Sequence, residues 1–163
     1  TKRPMSKTSV LILGDMIPES THNLLNLLKD AMQLLPTGYK FTLKPHPGYE
    51  VHLVDYPGLQ ADQTIEALDQ ILRQYDLVVT ANSTSAAVDA YQVGLPVIIM
   101  LDGNQLNLSP LRGYPHVRFV NTPEELAEAL QSADRSVAVD AEEDNMFFLD
   151  PELPRWNRLL SAT

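Results

Sequence analysis

The chain has 163 residues, 44% of them hydrophobic, which is enough for one core of ordinary size and is the common length of a single domain. A formal net charge of −9 and a pI near 4.7 exclude the basic face that wrapping nucleic acid requires, so an anionic ligand needs a local site. The absence of cysteine excludes a disulfide framework and thiolate chemistry and fits a cytoplasmic chain.

The opening TKRPMSKT is polar, and residues 1–8 read as a linker leading into a single α/β domain over residues 9–163. SVLILG, Ser9 to Gly14, is a continuous β-branched and leucine run, the mark of a strand buried on both faces. It is far shorter than a signal h-region or a membrane span, so no transmembrane segment is expected. Leu24, Leu25, Leu28, Met32 and Leu35 recur at helical spacing behind caps at Ser20 or Thr21, and the unit closes at Pro36 and Gly38.

YKFTLK, Tyr39 to Lys44, is the second strand, and it runs into KPHPGYE. Each proline locks its own φ near −65° and pushes the residue before it out of the helical region, so Lys44 and His46 are held in an extended turn that presents its side chains. A short strand near Leu59 to Ala61 precedes a helix marked by Ile65, Leu68, Ile71 and Leu72. Then come LVVT (Leu77 to Thr80), the loop ANSTS (Ala81 to Ser85), the small-residue helix SAAVDA and the strand PVIIML (Pro96 to Leu101). VRFV, Val117 to Val120, leads into NTPEELAEAL, where Thr122 and Glu125 form a capping box and Pro123 takes the first helical position. This succession predicts a three-layer Rossmann-like domain with a mostly parallel sheet covered by helices on both faces.

In such sheets ligands bind at the carboxyl ends of the strands. Three polar loops fall there: GDMIPES (Gly14 to Ser20), KPHPGYE and ANSTS. Each alone also fits a capped turn that merely connects two elements. Asn82, Ser83, Thr84 and Ser85 place an amide and three hydroxyls where a strand ends and a helix begins, a natural seat for phosphate. GNQLNLSPLRG, Gly103 to Gly113, is a further polar loop that offers Asn104, Gln105, Asn107 and Ser109 to a base or sugar and Arg112 to a charge, or else is a plain surface loop. His46, His52 and Asp55 do not make a convincing metal site at this spacing, His22 and His116 read as surface residues, and no metal is expected.

KPHPG after a strand, then a strand, NSTS, a helix containing Asp89 and GLPVI, resembles the nucleotide-binding half of bacterial GT-B glycosyltransferases, nearest the surface-carbohydrate and capsule enzymes of the sialyltransferase and Kdo-transferase kind. The tail FFLDPELPRWNRLL, Phe147 to Leu160, is similar to the C-terminal end of such proteins, so the resemblance covers Ser9 to Leu160. It implies a CMP-sugar donor and no cofactor. Lys44, His46, Pro47, Asn82, Ser83, Thr84 and Ser85 would hold the donor phosphate and ribose, and Gly14, Asp15, Asn104 and Gln105 its base or sugar. His46 would be the catalytic donor to the leaving phosphate, a role that protonated imidazole fills best.

The acidic motif that supplies the general base in sialyltransferases has no counterpart here. The resemblance therefore implies half an enzyme, whose partner is a missing N-terminal acceptor domain and whose place is the cytoplasm or the periphery of the inner membrane. Two other readings stay open: a GT-B glycerophosphotransferase of the teichoic-acid type, and a non-catalytic α/β binding module.

Overall fold

The computed structural model describes residues 7–82, 84–103, 106–133 and 152–161. Most of the expected linker, Ser83, Asn104, Gln105 and the first part of the tail, Phe147 to Pro151, lie outside the described residues.

Six strands form one parallel sheet in the order β3-β2-β1-β4-β5-β6: β1 (Thr8–Leu13), β2 (Tyr39–Lys44), β3 (Ala61–Gln63), β4 (Leu77–Ala81), β5 (Val97–Met100) and β6 (Val117–Val120). The helices are α1 (Pro18–Met32), α2 (Leu68–Ile71), α3 (Ala86–Gln92), α4 (Pro123–Ser132) and α5 (Pro154–Leu160). Because successive strand residues face opposite sides, the apolar runs feed two separate cores. Val10, Ile12, Leu77, Val79 and Ile98 pack with Leu24, Leu25 and Leu28 of α1 and Leu126 and Leu130 of α4. Leu11, Leu13, Val78, Val97 and Ile99 pack with Ile71 of α2 and Val88 and Tyr91 of α3. This is the three-layer α/β arrangement expected from the sequence.

Three boundaries differ from expectation, each for a local reason. Helix α1 starts a turn earlier than Ser20 or Thr21, because Pro18 takes the first helical position that its fixed φ favours. Strand β3 runs over Ala61–Gln63, beyond the turn at Pro57 and Gly58, and pairs Ala61 with Phe41. The helix expected from Ile65 onward is only Leu68–Ile71, followed by a 3₁₀ turn over Leu72–Gln74. Thr64 N–H still donates to Leu43 O of the ladder, and Thr64 Oγ1 accepts from Glu66 N–H. That local turn competes with a helical start and leaves Ile65 exposed.

The ends of α3 and α4 follow sequence closely. Gly94, at φ 86°, closes α3 with Leu95 N–H donating to Ala90 O at 3.1 Å, a left-handed C-cap that only glycine makes without strain. At α4, Thr122 Oγ1 accepts from Glu125 N–H at 3.2 Å, and Glu125 Oε2 accepts from Asn121 N–H at 2.6 Å. Thr122→Ala is expected to destabilise the chain by about 1 kcal/mol, read as a lower urea midpoint at unchanged slope. An unchanged midpoint would show that the box is not a stabilising contact.

Candidate functional site

The register places four strand ends in one row, since Leu13 pairs with both Lys44 and Thr80, and Thr80 pairs with Ile99. Asp15, His46, Asn82 and Leu101 each follow that row by two residues, so the three candidate loops leave the same edge. The chain lays β2 and β3 on one side of β1 and β4 to β6 on the other, and such a reversal opens a crevice outside the carboxyl ends. The His46 and Asn82 loops flank it from strands two spacings apart, about 10 Å.

Gly14 explains how the first two loops fit together. Its N–H donates to Lys44 O at 3.0 Å, and a Cβ there would stand 3.3 Å from His46 N and from Pro45 Cα. A side chain there would push the proline turn away from β1 by a few tenths of an ångström.

Within the turn, Gly48 N–H donates to His46 Nδ1 at 3.0 Å. In that bond Nδ1 is the acceptor, which leaves Nε2 as the ring's donor. His46 and Lys44 are half-buried, Pro47 is exposed, and Lys44 makes no ion pair among the described residues.

Asp15 is engaged within the chain. It is buried, and its carboxylate accepts from Ile17 N–H at 3.1 Å and Ser20 Oγ at 3.2 Å. Thr21 Oγ1 accepts from Asp15 N–H at 2.7 Å and donates to Asp15 O at 3.0 Å. Ser20 and Thr21, expected as caps, thus lie inside α1 and tie its first turn to the end of β1.

In the third loop, Thr84 Oγ1 accepts from Ala86 N–H at 3.3 Å. Ser85 stands at the N-cap position without a side-chain cap bond and is exposed. Asn82 is buried, with Nδ2 donating to Leu106 O at 2.8 Å, and its Oδ1 has no partner among the described residues. An unpaired buried acceptor costs about 1–3 kcal/mol. A cavity of about 400 Å³ is lined by Asn82, Thr84, Ser85 and Asp89 together with Val88, Leu108 and Pro110. Asn107 and Ser109 are taken by the loop itself, since Asn107 Oδ1 accepts from Ser109 N–H and Ser109 Oγ from Leu111 N–H.

Two features carried no motif. Asp89 stands four residues after Ser85, one helical turn, and that spacing was the available signal. The other is a brace on the β2–β3 connection. The Asn26 amide donates to His22 Nε2 at 2.9 Å, which leaves Nδ1–H of exposed His22 to donate to Tyr56 Oη at 3.3 Å. Burial pushes the Tyr56 hydroxyl above its ordinary 10.0, with Tyr49 and Asp55 adding to the effect.

No protein-family model matches the chain, and no curated protein matches it in sequence. Its fold is shared with solved glycosyltransferases. The glycotransferase of kitacinnamycin is 18% identical, with a TM-score of 0.61 over 88% of this chain and 40% of that one. SnogD from Streptomyces nogalater is 13% identical, with a TM-score of 0.65 over 98% of this chain and 45% of that one. The catalytic domain of cholesterol-alpha-glucosyltransferase from Helicobacter pylori is 18% identical, with a TM-score of 0.54 over 76% and 83%. The domain thus has the Rossmann-like fold of one half of a GT-B glycosyltransferase, and it spans less than half the length of the first two.

Two outcomes test this geometry. Neutral His46 should show an unprotonated Nδ1 and a protonated Nε2 in long-range ¹H–¹⁵N spectra, and the opposite tautomer would contradict the Gly48 bond. For Tyr56, a raised folded-state value means that the unfolded chain releases its proton first. The contribution is complete below pH 10 and is lost as pH rises through the higher folded-state value. Tyr56→Phe should abolish that alkaline loss of stability in urea titrations at stepped pH.

Proposed function

We propose that this chain is the donor-binding half of a glycosyltransferase that uses a nucleotide-linked sugar, with a CMP-sugar favoured, in bacterial surface polysaccharide synthesis at the cytoplasmic side of the membrane. The observation that carries the proposal is His46, its ring oriented by the Gly48 N–H, on the strand edge that also holds the ANSTS loop. A donor nitrogen held by its own loop suits an oxygen whose negative charge grows during reaction.

On this reading Lys44 and His46 approach the phosphate from the β2 side, and Ser83, Thr84 and Ser85 from the β4 side. As the bond between the sugar's anomeric carbon and the phosphate oxygen breaks, its electron pair stays on oxygen. His46 Nε2–H stabilises that charge through a hydrogen bond, with no proton transfer required. The nucleophile and its base belong to an acceptor domain supplied by the rest of the protein. Met16 and Ile17 after β1, Ile65 after β3, and Leu106 and Leu108 after β5 are exposed, and this apolar rim on the same edge suits contact with a second domain.

Titration of the chain with CMP, UMP and CDP-glycerol tests the reading. CMP binding strongest supports it, CDP-glycerol strongest moves the assignment to glycerophosphotransfer, and no binding leaves a non-catalytic module. Ser83→Ala with Thr84→Ala should weaken CMP about tenfold or more per lost contact. In an enzyme restored with its acceptor domain, His46→Ala should lower kcat on the order of 10²–10³, while in the isolated chain it only weakens nucleotide binding. Near-normal turnover of that variant would assign the proline turn to the fold alone.

A further inference from the structure

Pro47 and Gly48 are the central pair of a turn closed by Tyr49 N–H, which donates to His46 O at 2.9 Å. With proline in the first central place, a turn needs glycine in the second only where φ there is positive. Gly38, Gly58, Gly94 and Gly113 have such a φ, and Gly48 does not. The backbone of the turn therefore gives no reason for a residue without a side chain at position 48.

The ring of His46 gives one. A Cβ on Gly48 would lie 3.2 Å from His46 Nδ1 and 3.5 Å from its Cε1, with Met16 Cγ 3.7 Å away. The first of these distances is too short for the ring to stay where it is. The N–H of the same glycine donates to Nδ1 at 3.0 Å, so the imidazole lies against Gly48 and is bonded to it. Asparagine or aspartate at position 46 could accept from an N–H two residues on, but only imidazole keeps a donor nitrogen free once that bond is made.

We infer that Gly48 is the positioning residue of His46: its N–H takes up Nδ1, and its missing side chain leaves the space in which the ring lies with Nε2 as the donor. The inference rests on the reading of His46 as the hydrogen-bond donor to a phosphate. It adds that a methyl group at position 48 weakens phosphate binding through His46 alone.

A double-mutant cycle of His46→Ala and Gly48→Ala tests this, together with the ¹⁵N shifts of the neutral imidazole in the parent and in Gly48→Ala. Gly48 is exposed, and alanine keeps the backbone N–H, so the variant is expected to fold, which backbone amide spectra check. Its methyl group is expected to displace the ring, and the Nδ1 and Nε2 shifts then move toward each other as the two tautomers mix. CMP and inorganic phosphate are expected to bind about tenfold more weakly. In the His46→Ala background the same change is expected to leave both affinities as they were.

Unchanged ring shifts in Gly48→Ala overturn the inference, and so do mixed tautomers with undiminished affinity. An equal loss of affinity in the His46→Ala background also overturns it, because Gly48 would then act through the backbone of the turn. If the parent chain binds neither CMP nor phosphate, the phosphate reading of His46 fails, and the ring shifts by themselves decide whether Gly48 positions the imidazole.

Discussion

Everything at the functional edge depends on β1 being hydrogen-bonded in parallel on both sides. Its residues pair with β2 from Thr8 to Leu13 and with β4 from Val10 to Leu13, and it is apolar toward both faces of the sheet. A strand in that position needs a helix layer on each side, and parallel neighbours need crossover connections that supply those layers. The ladder also levels the strand ends, because a slip of one residue would turn Val10 and Ile12 out of one core and into the other. Loops from distant parts of the sequence are thereby delivered to one edge with little freedom in height.

On that edge the polar residues divide between holding loops in place and remaining open to a ligand. Asp15, Ser20 and Thr21 share bonds that fasten α1 to β1. Asn107 and Ser109 are likewise consumed within their own loop. His46 falls between the two groups. One ring nitrogen is used by Gly48, and that use determines what the other can do. Asn82 is divided in the same way, with its amide nitrogen anchoring the loop after β5 and its oxygen without a partner among the described residues.

Charge is distributed with the same economy. A chain of net charge −9 repels anions at long range, and at physiological salt that repulsion fades over about 8 Å. An anion held here needs contacts at short range, from Lys44, an imidazole N–H and hydroxyls. Asp89 on the neighbouring wall opposes a second negative group nearby.

The sequence by itself determined the layer order, the parallel sheet and which loops share an edge. These follow from periodicity, from prolines at Pro45, Pro47 and Pro123 and from a capping box, all signals read over a few neighbouring residues. It also marked His46 and the ANSTS loop, because proline restriction and clustered hydroxyls are local too. What the polar atoms that join distant segments are bonded to was decided by tertiary structure. The bond from Gly14 to Lys44 and the bond from Asn82 to Leu106, 24 residues away, depend on where separate segments meet. Hydrogen bonding is short-ranged and directional, so the bond that fixes an atom's role appears only once packing has brought its partner within about 3 Å.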